Sequence, residues 1–397
     1  MVISNILDNL KKIAQSHDSR VYLVGGPLRD KLLGRKVKDL DIVVDKLIHI
    51  IGKDLAANLN AKFQFYQNFN TGTIILPQAK TNGNSITHID IAQTRKEIYS
   101  KPAELPKVAP ADLIADLYRR DFTINAMAED LVSGELIDPF RGREDLKNKV
   151  IRALHPKSFI DDPTRIFRAI RFAERFNFKI EPKTLQWLRN AVNQKLISLL
   201  SGERVLNELR LMAKEQNWEK MIKRLNQEKV FRALFSKNLT GNFFNQLREV
   251  AKVKDANLRL IHLLAQFKLP ANFPITKEMA TAIKDWQEFP KVRKQLEKAT
   301  YPSEVYRILR QFSNDALKIA QLVENPKIAI KIKNYLERYQ MVKTELGGDD
   351  VKALGITPGA IYSELLDQIL LARLDGKVKT RADELELLKK LVRRNVR

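Results

Sequence analysis

Cysteine is absent from the 397 residues, which excludes disulfides and thiolate metal sites and fits a reducing compartment. Histidine is scarce: His17, His49, His88, His155 and His262 show no H-x-x-x-H or other paired spacing, so a zinc site is not expected. No apolar run approaches the roughly 20 residues needed to cross a bilayer. The opening "MVISNILDNLKKIAQSHDSR" lacks the basic, apolar, small-residue order of a signal peptide and reads as an amphipathic helix. Internal repeats and low-complexity tracts are missing as well. These absences predict a cytoplasmic protein with no membrane association and no evident protein partner.

What is abundant is positive charge. Seventy Lys and Arg against 47 Asp and Glu leave a formal net charge of +23. With 44% hydrophobic and 29% charged residues the chain is globular. A cationic excess of this size points to a polyanionic partner, nucleic acid first. The basic residues are spread along the chain, so a folded basic surface is expected rather than a disordered arm. Lys-rich helical proteins that bind no nucleic acid exist, so charge alone does not decide.

Two textures divide the chain. Up to about Pro139, β-rich runs ("RVYLVGG", "DLDIVV", "KFQFYQ", "GTIILP", "THIDIAQ", "GELIDPF") alternate with helical ones. Beyond Arg143 the apolar spacing is helical almost throughout, as in "RIFRAIRFAERF" and "VLNELRLMAKE". The fold class is therefore α+β: a small mixed-sheet head followed by an elongated all-helical region. We expect a head over 1–140, a helical neck over 141–212, a helical body over 213–275 and a helical tail over 276–397. "SKPAELPKVAPADL" has three prolines and reads as a loop or lid within the head.

The chemistry concentrates in "VYLVGGPLRDKLLGRKVKDLDIVV". Val21 to Val24 form an apolar strand. Gly25 and Gly26 follow, and Pro27 opens a helix that runs to Leu33 and stops at Gly34. A strand turning through glycines into a helix start offers backbone N–H groups to an anion, and Arg29 adds charge. Asp39 and Asp41, two apart on a strand, share a face. Paired carboxylates repel unless a cation lies between them, and a hard divalent ion such as Mg²⁺ suits oxygen ligands. The plain alternative is a solvent-facing edge strand. Asp90, in a second apolar strand, would make three carboxylates on one sheet, as in a two-metal phosphoryl-transfer centre.

"GGPLRDKLLGRKVKDLD" resembles the G-G-x-x-R-D-x-L-L-G-x-x-x-x-D-x-D signature of the polymerase-β-type nucleotidyltransferases, in the branch that holds the tRNA nucleotidyltransferases and bacterial poly(A) polymerases. "RRDFTINAMA", "IDPFRGREDLKNKVIR", "DDPTRIFRAIRF" and "SGERVLNEL" resemble the remaining motifs, in order, within the first 210 residues. The resemblance implies that Gly25, Gly26 and Arg29 hold a nucleoside triphosphate and that Asp39 and Asp41 bind two Mg²⁺ ions. It also implies catalytic roles for Asp39, Asp41 and, more loosely, Asp90. Arg119, Arg120, Asp121 and Asn125 would contact ribose and phosphates.

Cytosine and adenine each present an amino donor beside an unprotonated ring nitrogen; uracil and guanine present the reverse. A carboxylate only accepts hydrogen bonds and a guanidinium only donates them, so Asp162 and Arg165 are matched to C and A. Asp162 before Pro163 also reads as a helix cap. The family has Glu where this chain has Asp161. Of Arg168 and Arg171, one is expected to face the triphosphate and the other to pair with an acid of an adjoining helix. Arg204 and Glu208, four apart in "SGERVLNEL", are expected to be structural and to pin the helix that carries the base-reading residues. Arg95 reads equally as a phosphate contact or a solvated residue.

The resemblance implies template-independent addition of the 3′-terminal CCA of tRNA from CTP and ATP, with release of pyrophosphate. A-only, CC-only and poly(A) synthesis share these motifs, and a basic RNA-binding protein without activity is the remaining alternative. A phosphohydrolase of the HD kind is not expected, because His17-Asp18 is the sole adjacent His-Asp pair.

Overall fold

A computed structural model describes residues 2–37, 39–77 and 87–395. The chain divides into two compact units, Met1–Asn238 and Leu239–Arg397, a coarser division than the four segments expected. The first unit opens with helix α1 (Val2–Ser16), whose Ile6, Leu10, Ile13 and Ala14 are buried. Strand β1 (Val21–Val24) follows, then α2 (Gly25–Leu32), β2 (Leu40–Val44), α3 (Ile48–Asn58), β3 (Lys62–Tyr66), β4 (Thr71–Ile75) and β5 (His88–Gln93). Next come β6 (Arg95–Ile98), β7 (Lys107–Pro110), α4 (Leu113–Tyr118), β8 (Ala128–Asp130) and β9 (Leu136–Ile137).

Seven strands form one sheet in the order β3-β4-β5-β2-β1-β8-β9. All neighbours run antiparallel except β2 and β5, which are parallel and reached through α3, β3 and β4. Their register sets Asp41 beside Asp90, and β4 sets Thr73 beside Asp90 from the other side. Ile89 and Ile91 are buried, as are Leu40 and Ile42. Alternation along a strand then turns Asp41, Asp90 and Thr73 to the opposite face. Tyr22, Val24, Val43, Leu117, Ala126 and Ala128 make a second apolar cluster, which anchors α4 to the sheet.

Two elements differ from expectation. The proline-rich segment is not a bare loop: β6 and β7 pair as an antiparallel hairpin, with Arg95 opposite Pro110, and α4 follows. Proline is tolerated there because the hairpin stands apart from the seven-stranded sheet and Pro110 closes its strand. The helix after β1 begins at Gly25 rather than Pro27, since Gly25 adopts φ +67° and lets the chain turn immediately.

The neck region carries α5 (Gly142–Asn148), α6 (Ser158–Asp161), α7 (Thr164–Phe176), α8 (Pro182–Asn193) and α9 (Gly202–Ala213), with two-residue strands Val150–Ile151 and Lys179–Ile180 paired in parallel. The second unit is helical from Gly241–Lys252 to Arg381–Asn395, with no strand among the described residues. Leu346, Val351, Leu365, Ile369 and Leu388 pack as a core near its end.

Phe63 wedges its ring between two glycines: a Cβ at Gly52 would lie 2.4 Å from Phe63 Cζ, and one at Gly72 would lie 2.4 Å from Cε2. Both contacts are with a ring held by the sheet, so neither yields cheaply. Gly72→Ala is expected to destabilise the first unit by about 1–3 kcal/mol, measured as a lower urea midpoint, and Phe63→Leu in the same chain should recover part of the loss.

Candidate nucleotide-binding cavity

The double glycine at the end of β1 makes close approach possible. A Cβ at Gly25 would meet Arg120 Nη1 at 3.0 Å and Asp41 Oδ2 at 3.3 Å. A Cβ at Gly26 would stand 3.7 Å from Arg29 Nη2. The turn therefore packs against the carboxylate of β2 and the arginine that follows α4. Around it opens a cavity of about 630 Å³ in the first unit. Gly25, Gly26, Arg29, Asp39, Asp41, Arg119, Arg120, Asp121, Asn125, Asp162, Arg165, Arg168 and Arg171 all line it. Its size is in the usual range for a small-molecule site. Asp90 is the one expected residue outside it. It lines a smaller cavity of about 330 Å³ with Tyr66, Thr71 and Thr73, and the two cavities share Asp41 and Arg120.

Asp39 lies just ahead of β2 and is exposed, whereas Asp41 sits within the strand. Burial pushes the Asp41 carboxyl up to about 6; Arg120 opposes this, and the neighbouring Asp90 and Asp39 add to it. Asp90 accepts a hydrogen bond from Thr73 Oγ1 at 2.8 Å and keeps about half of its side chain in solvent. Among the described residues no three His, Asp or Glu side chains close around a single point. The oxygen-only donors and the raised Asp41 carboxyl nevertheless fit a hard divalent cation between Asp39 and Asp41, because such an ion would relieve the crowding of negative charge.

The arginines are held by acids. Asp116, on α4 and without exposed surface, accepts from Arg119 (Nε 3.0 Å, Nη2 2.8 Å) and from Arg120 Nη2 at 3.0 Å. Burial alone would raise its pKa, but Arg120 and Arg119 outweigh it and the net shift is downward. Glu97 of β6 accepts from Arg119 Nη1 at 2.9 Å and from the Tyr99 hydroxyl at 2.7 Å. Asp121 receives Arg168 (Nε 2.8 Å) on one oxygen and the Phe122 N–H and Asn125 amide on the other. Arg29 reaches Asn125 Oδ1 at 2.7 Å and Asp30 Oδ1 at 2.8 Å.

The pair expected to read the base, Asp162 and Arg165, takes a form the spacing did not show. Asp162 is not in a helix: it is extended, at φ −134°, between α6 and α7. Its Oδ1 accepts from Thr164 N, Thr164 Oγ1 and Arg204 Nη2 at 3.0, 2.6 and 2.7 Å. Among the described residues, its Oδ2 accepts no hydrogen bond and so stays available. Arg165 donates to Ser158 Oγ at 2.9 Å and to the Arg119 carbonyl at 2.6 Å. From α9, Arg204 reaches the segment that joins α6 to α7. It bridges Asp162 and, at 2.6 Å, the carbonyl of Ala103 in the hairpin connection. Glu208 is buried on α9, and its charge acts chiefly on Arg171 and Arg168. Arg168 thus pairs with Asp121, outside any adjoining helix, and Arg171 is the one that faces an acid of α9. Arg95 reaches neither: it donates to the Phe69 carbonyl, and Arg119 and Glu97 lie beside it.

Sequence reasoning missed Asp116, Glu97, Tyr99, Phe172 and the lining role of Arg204. Asp116 had a signal, since it precedes Arg119 and Arg120 by three and four residues, the spacing of helix neighbours. Glu97 and Tyr99 had none, because only the hairpin turns them inward.

The Asp121 carboxyl is held at about 2: burial would raise it, but Arg168 and the Asn125 hydrogen bond prevail. The folded protein therefore binds fewer protons than the unfolded chain between that value and the ordinary 3.8. The stabilisation is complete above this window and is lost as pH falls through it. Arg168→Met, which leaves Asp121 buried without its partner, should cost about 2–4 kcal/mol near pH 7. The gap between variant and parent should narrow as pH falls toward about 3, seen in urea midpoints across that range.

Two family models match the chain: "Poly A polymerase head domain" over residues 21–152 and "Probable RNA and SrmB- binding site of polymerase A" over residues 177–240. The A-adding tRNA nucleotidyltransferase of Geobacter sulfurreducens is 32% identical over 97% of this chain, which spans 47% of that protein's length. The enzyme of the same name from Halalkalibacterium halodurans is 30% identical, with 96% of this chain and 91% of the relative aligned. Among solved structures, a CCA-adding enzyme in its apo form II superposes with a TM-score of 0.83 at 32% identity, covering 97% of this chain and 94% of the other. Taken with the cavity, these likenesses show that the chain belongs to the family of tRNA nucleotidyltransferases and bacterial poly(A) polymerases.

Proposed function

We propose that the chain is a template-independent RNA nucleotidyltransferase that transfers AMP from ATP to the 3′ end of a tRNA. The observation that carries this reading is the meeting, in one cavity, of the glycine turn, the carboxylates of Asp39 and Asp41 and seven arginines. The arginines spread positive charge where a triphosphate would lie. Family membership implies divalent-metal use; we assign Mg²⁺ to Asp39 and Asp41, where it would supply Lewis acidity toward the α-phosphate.

The chain's own residues orient the two reactants. Arg29 and Arg120 face the triphosphate. The smaller cavity, beyond the shared Asp41 and Arg120, admits the acceptor's terminal nucleoside, with Asp90 beside it. The 3′ oxygen forms a bond to the α-phosphorus, the bond from that phosphorus to the oxygen bridging to the β-phosphate breaks, and pyrophosphate leaves. The hydroxyl proton passes to water.

The free Oδ2 of Asp162 accepts the amino group of adenine or cytosine, and Arg165 donates to the adjoining ring nitrogen. Uracil and guanine would set donor against donor and acceptor against acceptor, a mismatch worth about 10⁴-fold in a buried site. Preference for A over C rests on the relatives' names. The solved structure's name supports a second reading, complete CCA addition from CTP and ATP. Binding of the RNA backbone by the basic surface should weaken steeply as salt rises.

Primers ending at the discriminator base, at C and at CC, each offered one nucleotide with Mg²⁺, test the proposal. ATP incorporation on the CC primer alone is expected. CMP addition to the shorter primers would establish the second reading, and a run of adenosines would establish poly(A) synthesis. Failure of every nucleotide on every primer would sink the assignment. Asp41→Ala should lower turnover by about 10²-fold or more while RNA binding persists; equal activity would show that Asp41 takes no part in catalysis.

A further inference from the structure

Five arginines crowd two phenylalanine rings of α7. Arg29 Cζ lies 5.2 Å from the Phe172 centroid and 4.7 Å from that of Phe176. Arg168 and Arg171 stand over Phe172 at 5.4 and 5.2 Å. Arg35 and Arg175 stand over Phe176 at 4.7 and 5.3 Å. The rings, four residues apart, stack at 5.9 Å with 19° between their planes, and Phe122 meets Phe172 edge-on at 86°. Both rings are nearly buried.

Packing alone does not account for this arrangement. Arg29 is 4% exposed and donates hydrogen bonds to Asp30 and Asn125. A guanidinium donates only in its own plane, so those bonds fix its rotation within the plane and leave its tilt to contacts above and below. The negative face of an aromatic ring supplies such a contact and also offsets the repulsion of neighbouring cations. Arg175 adds to that repulsion at Arg29, and Arg168 and Arg175 do so at Arg171. Phe172 lines the large cavity; Phe176 does not, and acts only through the arginines on it.

We propose that the stacked pair Phe172 and Phe176 is a positioning device that aims Arg29 at the triphosphate, and that Phe176 thereby sets affinity for the triphosphate without touching it. This rests on the cavity being the nucleotide site. Its signature is a loss confined to phosphate recognition, since the base-reading Asp162 and Arg165 lie off these rings.

The test is equilibrium titration of the full-length protein, with Mg²⁺ and no primer, by ATP and separately by inorganic tripolyphosphate. Phe176→Leu keeps an apolar side chain and removes the π face; Phe176→Tyr keeps the face. The leucine variant should weaken both ligands by the same factor, about threefold to tenfold, and the tyrosine variant should bind like the parent. In an Arg29→Ala background, Phe176→Leu should have no further effect. RNA affinity should not change in any of these variants. Equal affinities of the leucine variant and the parent, or equal losses in the leucine and tyrosine variants, would overturn the proposal. A parent protein that binds neither ligand would instead overturn the nucleotide site itself. Phe176→Met carries the same comparison should the leucine variant fail to fold.

Discussion

The cavity depends on one buried carboxylate with two cationic neighbours. Asp116 has no exposed surface, and its oxygens are shared between Arg119 and Arg120. A lone charge so placed would be costly, and two adjacent arginines without it would repel each other. Together they fix the end of α4 against the glycine turn of β1, since Arg120 is the group that a side chain at position 25 would strike. The same carboxylate accepts the backbone N–H of Arg95, so the base of the hairpin is tied to the same point. Asp121 repeats the device one residue beyond Arg120, joining α7 through Arg168.

These knots explain how seven arginines share a cavity of this size. Most have an acid, a carbonyl or a ring to hold them, so their remaining donors point at fixed places. A triphosphate entering the site would meet donors already oriented, and little rearrangement would be needed at the moment of reaction. Arg204 extends the same logic to the hairpin connection, since it holds Asp162 with one nitrogen and the Ala103 carbonyl with another.

Much of the site was legible in the sequence because its chemistry is local. The glycine turn and the D-x-D pair each sit within a few residues and could be placed by strand and helix periods, whereas the run from Arg119 to Asn125 was legible only through its resemblance to a family motif. What could not be read is what depends on long-range pairing. Glu97 and Tyr99 enter the cavity through a hairpin whose prolines argued against strands. Arg204 and Asp162 are 42 residues apart, so no local spacing marked that pair. Pro163 displaces the helix start and leaves Asp162 extended, a placement that spacing alone did not show. Phe172 and Phe176 were legible only within the helical apolar spacing of α7, where Arg168, Arg171 and Arg175 also lie; nothing local marked Arg29 and Arg35, which reach the rings from far back in the chain.

The parallel seam between β2 and β5 has a consequence for how the molecule is assembled. Asp41 meets Asp90 only through a crossover that includes α3 and two intervening strands. Because strand faces alternate, a slip of one position along that seam would bury one acid among Ile89, Ile91 and Leu40 and expose an isoleucine in its place. The penalty for such a misalignment is severe. The carboxylates that make the site demanding thus also act as a ruler for the sheet, rejecting an alignment displaced by a single residue.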